Sequence, residues 1–452
     1  MKRELPISQF NSTRTIIPKI LTILPALIPS SIILVVEPLM CLLKLRKIEL
    51  RVRLENFYVR SADIEWADLI VFCRNTEPAN DGVLEKIIFC NKPYIYELDD
   101  NFFELSLDSP EGIYHRAPER IAQLEKYIKN ASLVRVYSPP LELRIKKYTA
   151  NGRFLKAPVN LLAIPAVSPN HNSQKLKLVF STSRTIADDL SQIFVKDLIR
   201  VINEFGNTVE VHFWGFMPEE LQGFPSVKFH RFMPNYQKYM RTMYGQGYDI
   251  GLAPMKNDLF HNSKTNNKFR EYGACWIAGI YSNSEIYSNC VEDGLTGLLV
   301  SNDEGEWYQA IVRMMKDVEM RKAIQLRARA VIEKEYSLDT FADILLNDMN
   351  SVLREFVQKE TVRVDDVHKA ENMKFENEYQ PKKVFLRLFD LICFSFGKMR
   401  RSLNNYGLLL SFRLFLDEIG RYAQYFLLSY RIRQIYLYNV ISRFIGRFRR
   451  VE

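Results

Sequence analysis

Short runs of consecutive apolar residues alternate along this chain with longer segments whose apolar positions recur every three or four residues. In the first third the runs fall at 19–24 (KILTIL), 67–72 (ADLIVF), 93–98 (PYIYEL) and 132–138 (SLVRVYS). Their length and the turn residues around them predict buried strands. Further on, comparable runs fall at 176–180, 209–214, 227–230, 249–254, 277–281 and 297–300. Helical periodicity fills intervals at 82–90, 186–205, from Asn267 onward, and at 307–332 and 338–356. Strand, helix, strand in repeated order is the pattern of parallel sheets with crossover helices. A segment at 161–174, rich in proline and polar residues, interrupts the alternation and reads as a linker. The pattern predicts an α/β protein with one domain at 1–160 and a second at 175–357. A charged, apolar-poor linker at 358–381 then leads to a tail at 382–452.

The stretch 20–43 is apolar enough to suggest a membrane span, but it contains Pro25, Pro29 and Pro38, with an unpaired Glu37 in the middle. Such breakers argue for a first strand followed by a helix, with Ser30 and Ser31 offering the cap.

Polar residues concentrate where the predicted strands end. Between the strands at 249–254 and 277–281, Lys264 and Lys268 stand four apart, and Glu271 follows Lys268 by three. Lysines beside a helix N-terminus suit a diphosphate, and a carboxylate one turn deeper suits the hydroxyls of a ribose. An exposed helix with an ordinary Lys/Glu pair would give the same spacing. After the strand at 176–180, Ser181–Thr185 with Arg184 makes a second candidate phosphate-facing loop, although it lacks a glycine. Asp99 and Asp100 close the strand at 93–98 and allow three readings: a cleft-facing pair that meets an acceptor, a turn, or a divalent-cation site. The six histidines have no ligand spacing, and only His261, just before Lys264, lies near this chemistry.

Composition and charge change this picture only at its end. At 452 residues the chain has room for two domains and more. Six scattered cysteines without a CxxC read as thiols of a reducing compartment. The formal net charge of +9 sits almost wholly in the tail, where fourteen basic residues face four acidic ones from Lys382 onward. There Arg and Lys alternate at helical spacing with Phe, Leu and Tyr. That suits amphipathic helices lying on an anionic bilayer or packed on protein, with nucleic acid a weaker match.

Three blocks in the second half, DIGLAPM, NKFREYGACWIAGIYSN and VEDGLTGLLV, carry a resemblance to nucleotide-sugar glycosyltransferases of family 4. ADLIVFCR and YELDDNFF resemble the first half of the same enzymes. The resemblance implies a GT-B architecture of two Rossmann-like domains with a C-terminal helix crossing back to the first. It implies hexosyl transfer, with retention, from a nucleoside-diphosphate sugar to a glycan, lipid-linked or protein acceptor. Neither a cofactor nor a metal is expected. The donor would meet Glu271 at its ribose and Lys264, Lys268 and Arg184 at its phosphates, with Ser263, Ser282 and Asn283 beside it. Asp99 and Asp100 would face the acceptor. Family members commonly carry a glutamate eight positions before Glu271, and here that place is Ser263. The expected setting is cytoplasmic, with the tail holding the protein to the inner face of the membrane. A non-catalytic relative serving as a binding or assembly subunit is the other reading.

Overall fold

Among the residues described, twelve strands form two separate all-parallel sheets in a computed structural model. The structure describes residues 17–55, 59–169, 174–183, 189–363, 425 and 427–435. The first sheet comprises β1 (Lys19–Leu24), β2 (Glu49–Leu54), β3 (Leu69–Cys73), β4 (Tyr94–Leu98), β5 (Leu133–Val136) and β6 (Gly152–Phe154), in the order β2-β1-β3-β4-β5-β6. The second comprises β7 (Leu176–Ser181), β8 (Val209–Trp214), β9 (Val227–His230), β10 (Ile250–Ala253), β11 (Ala278–Ser282) and β12 (Leu298–Val300), in the order β12-β11-β10-β7-β8-β9. Each order reverses once, beside β1 and beside β7, and such reversal points are where open parallel sheets take ligands.

The central strands are apolar on both faces because helices cover both: every residue of β3, β4, β10 and β11 is buried. The two edge strands that apolar runs do not reveal are β2 and β6. In β2, Leu50, Val52 and Leu54 are buried while Glu49, Arg51 and Arg53 look outward, and both arginines pair with Asp63, at 3.1 Å and 2.7 Å. β6 is short and largely exposed, with Phe154 its one apolar residue.

After β1 the chain turns through Pro29–Ser31, a wider π turn at Ile32–Val36, and the helix Glu37–Lys44. Ser31 lies inside the first turn rather than ahead of it, its hydroxyl accepting from Ile28 N at 3.1 Å. Glu37 is not unpaired: its carboxylate accepts from Gln237 of the second domain at 2.6 Å. Within the expected helix at 186–205, the described helix covers Val195–Phe205, preceded by a 3-10 turn at Ser191–Ile193, and it buries Val195, Leu198, Val201 and Ile202. The helical region after Trp307 is broken at Asp317, whose side chain caps the second piece, Val318–Glu335, through Met320 N at 2.9 Å.

The long helix Leu338–Arg363 returns to the first domain. It lies along Glu37–Lys44, with Phe341, Leu345 and Met349 in the shared core. Beneath it Arg135, fully buried, pairs with Glu97 of β4, and Asp348 of the helix lies 3.7 Å away. Of the basic tail, the described residues 425 and 427–435 are helical, and they pack on the protein: Tyr425 donates to Val52 O of β2 at 3.3 Å, and Ile432 is buried. The remaining residues of the predicted amphipathic tail and of the linker at 358–381, from 364 onward, lie outside the described residues. No described helix is long and apolar enough to cross a membrane.

Candidate functional site

The C-terminal ends of the two sheets face each other across a cavity of about 430 Å³. From the first domain it is lined by the turn after β1 (Ile28 to Ser30), Arg74 after β3, and Asp99 and Asp100 after β4. From the second it receives the ends of β7, β8 and β10, with Lys264, Lys268 and Glu271.

The second lip is built by one continuous segment. From Met255 the chain crosses a short turn, Leu259–Asn262, and enters the helix Asn267–Ala274. Two glycines let this helix lie tight against its neighbours. A Cβ on Gly251 of β10 would meet the Tyr272 ring at 2.5 Å, and one on Gly273 would meet Ile332 at 2.6 Å. The helix opens onto the cavity at its first turn, where Asn267, Lys268 and Arg270 join the lining. Lys268 Nζ lies 2.7 Å from Glu271 Oε2, and Tyr239 OH bridges Ser181 Oγ (2.8 Å) and Glu271 Oε2 (3.3 Å). Burial, with the Glu271 charge beside it, pushes the Tyr239 phenol well above its ordinary range, so it stays a hydrogen-bond donor. Arg270 is buried and reaches Pro158 O, Asn266 and Asn267, which fixes the helix to the interdomain link.

The first lip is assembled from separate strand ends. Arg74 holds a left-handed backbone conformation (φ 61°), unusual outside glycine, and its guanidinium forks onto Asp99, with Nη2 at 2.8 Å from Oδ2, while also reaching Asp100. Across the cavity Lys264 Nζ lies 3.3 Å from Asp100 Oδ1. Burial works against charging Asp100, but the charges of Arg74 and Lys264 outweigh it and hold its carboxyl down at about 2. Burial likewise opposes the Arg74 charge, and the Asp100 and Asp99 carboxylates more than compensate.

The structure therefore brings Lys264, Lys268, Glu271, Asp99 and Asp100 to one cavity. It places the other expected residues that it describes elsewhere. Ser263 is fully buried at the domain interface, its hydroxyl donating to Leu259 O (2.6 Å) and accepting from Asn101 Nδ2 (3.1 Å). Ser282 is buried below the cavity, accepting from Met255 N and donating to Asn302 Oδ1, so it ties together the ends of β10, β11 and β12. Asn283 is exposed and its backbone N donates to Val300 O. Arg184 lies outside the described residues, although Ser181, Thr182 and Ser183 line the cavity. His261 is buried against Asp258, with Nδ1 2.7 Å from Oδ2. Among the described residues no group of three His, Cys, Asp or Glu side chains could hold a metal ion.

Sequence reading missed three contributors. Arg74 was visible only as the polar residue after a buried strand. Tyr239 has no signal beyond an amphipathic helix. Trp214, also in the lining, closes β8 and donates to Tyr248 OH at 2.9 Å, which in turn contacts His212.

Several solved structures share this architecture. HepE from Anabaena in complex with UDP and glucose is 14% identical over 73% of this chain and 99% of its own, with a TM-score of 0.52. Sucrose-phosphate synthase from Thermosynechococcus elongatus is 14% identical over 75% of this chain and 100% of its own, at 0.55. A glycosyltransferase from Rickettsia africae is 14% identical over 75% and 98%, at 0.53. No family model and no curated protein matches the chain. At this identity the likeness shows the fold: the chain has the two-domain GT-B architecture of these structures.

Proposed function

We propose that this protein is a glycosyltransferase that takes a sugar from a nucleoside-diphosphate sugar bound between its two domains. The observation that carries the reading is the convergence of Lys264, Lys268 and Glu271 at one helix N-terminus, opening on a cavity shared by the strand ends of both sheets. Glu271, already held by Tyr239, accepts hydrogen bonds from ribose hydroxyls. Lys264, Lys268 and the N–H groups of the helix's first turn take the diphosphate. When the bond from the anomeric carbon to the diphosphate oxygen breaks, that oxygen gains negative charge, and these groups stabilise it there without a metal. An acceptor hydroxyl on a glycan or lipid-linked molecule forms the new bond and passes its proton to the departing diphosphate oxygen. It enters past Asp99, Asp100 and Arg74, and the sugar keeps its anomeric configuration, as the family resemblance implies. The structure of HepE with UDP-glucose, a chain of the same fold, supports this choice of donor class.

The reading is tested by incubating the purified chain with UDP-, GDP- and ADP-linked hexoses and measuring release of the nucleoside diphosphate. Release from one base series, unchanged by EDTA, is expected. Binding without release from any of them would favour a binding or assembly subunit instead.

A further inference from the structure

The two lips of the cavity neutralise each other before any ligand arrives. Lys264, on the second domain, has Asp100 of the first domain 3.3 Å away, and Asp100 also accepts from Arg74. The carboxylate of Asp100 thus stands between two cations that an incoming anion would need. All three side chains line the cavity and keep some contact with solvent, 24% for Lys264, 21% for Asp100 and 16% for Arg74, so an anion can reach them.

Neutral, buried hydrogen bonds cross the domain interface beside this pair. Asn101 Nδ2 donates to Ser263 Oγ at 3.1 Å, and Ser138 Oγ donates to Ser263 O at 2.8 Å. They hold the domains in register whether or not Lys264 is paired. Arg74 likewise keeps Asp99 if Asp100 is displaced.

We propose that Asp100 is an internal counter-ion which the diphosphate of the ligand must displace from Lys264, so that ligand and interdomain clasp compete for one lysine. This rests on the reading of the cavity as a nucleoside-diphosphate site and says how that site is regulated. Repulsion by Asp100 scales with the charge of the ligand, so its removal helps ligands in order of their charge. By reciprocity, whatever the clasp costs the ligand, the ligand costs the clasp.

The experiment is calorimetric titration of wild-type protein and Asp100→Asn with uridine, UMP and UDP, or with the guanosine or adenosine series if the wild type prefers that base. Asp100→Asn should bind the diphosphate about fivefold tighter or more, the monophosphate by a smaller factor, and the nucleoside unchanged. Equal or weaker diphosphate binding by the variant would overturn the proposal. An equal gain for all three ligands would also overturn it, since that marks a cavity opened for every ligand rather than a charge removed. Asp100→Ser removes the same charge and must show the same graded gain; its result decides if Asp100→Asn does not fold. Failure of the wild type to bind any of the diphosphates overturns the proposed function itself, and the competition with it.

Discussion

The two lips of the cavity reach a similar chemical state by different routes. On the second domain, Lys264, Lys268 and Glu271 come from eight consecutive residues that enter one helix, so the local backbone positions them together. On the first domain, Arg74 and the Asp99–Asp100 pair follow different strands, 25 residues apart, and only the register of β3 against β4 makes them neighbours. A site carried by one helix tolerates change in the rest of its domain. A site carried by sheet register depends on the whole sheet, and here it also draws on the opposite domain through Lys264.

The largest expected effect sharpens this contrast. Lys264 serves both lips, whereas Lys268 serves Glu271 on its own helix. Lys264→Ala should therefore lower turnover by about a hundredfold, the scale of losing one stabiliser of developing negative charge. It should leave the acceptor KM nearly unchanged, because the loss falls on the transition state. Wild-type turnover in this variant would make Lys264 a structural tie between domains and nothing more.

A second effect is acid sensitivity, to which each domain contributes a histidine: burial holds His115 of the first domain at about 4, as it does His212 of the second. On β8, His212 contacts Glu210 and His230 at 3.0 Å and 2.8 Å, and burial disfavours its protonated form, holding it at about 4 instead of 6.5. The folded state binds this proton more weakly than the unfolded chain, so stability is full above about pH 6.5 and falls as pH drops toward 4. The loss amounts to about 3 kcal/mol if His212 acts alone. Asp100 has the same sign of shift on a carboxylate, and its charge persists down to about 2. Acid should thus loosen the fold around these histidines while the Asp100 clasp is still charged. Melting curves between pH 7 and 4.5 check this: the wild type should lose stability steadily and His212→Gln should lose less. Parallel curves for the two proteins would remove His212 from the account.

How much of this was legible in the sequence follows from the same contrast. Of the twelve strands among the described residues, ten could be read from the sequence, nine of them because helices cover both faces of a parallel sheet, while β9 is a largely uncovered edge marked only by Val227 and Phe229. β2 could not, because its alternate positions carry arginines that pair with Asp63, and β6 could not, because it is a short, largely exposed edge. Lys268 and Glu271 could be grouped from spacing alone, since a helix converts spacing into proximity, and Lys264 lies in the loop that enters the same helix. Ser282 stands close to the same cavity in sequence, but strand alternation turns it inward to bind Met255 N and Asn302. Ser263 shows the limit most clearly, because its partners Asn101 and Ser138 belong to the other domain and no local pattern connects them. Arg74 meets Asp99 and Asp100 for a reason equally invisible in one dimension.

The central claim is that a nucleoside diphosphate lies between Lys264 and Glu271. Thermal melting of the wild type and Glu271→Ala in the presence of UDP, GDP, ADP and CDP tests it most directly. A ligand held only by the folded state at about a hundred times its Kd stabilises it by about 2.7 kcal/mol. One of the four should raise the melting temperature of the wild type. Glu271→Ala, folded but short of a charge-assisted hydrogen bond worth about 1.5–3 kcal/mol, should lose most of that rise. A wild type unmoved by all four, or a Glu271→Ala protein stabilised as fully as the wild type, would contradict the claim.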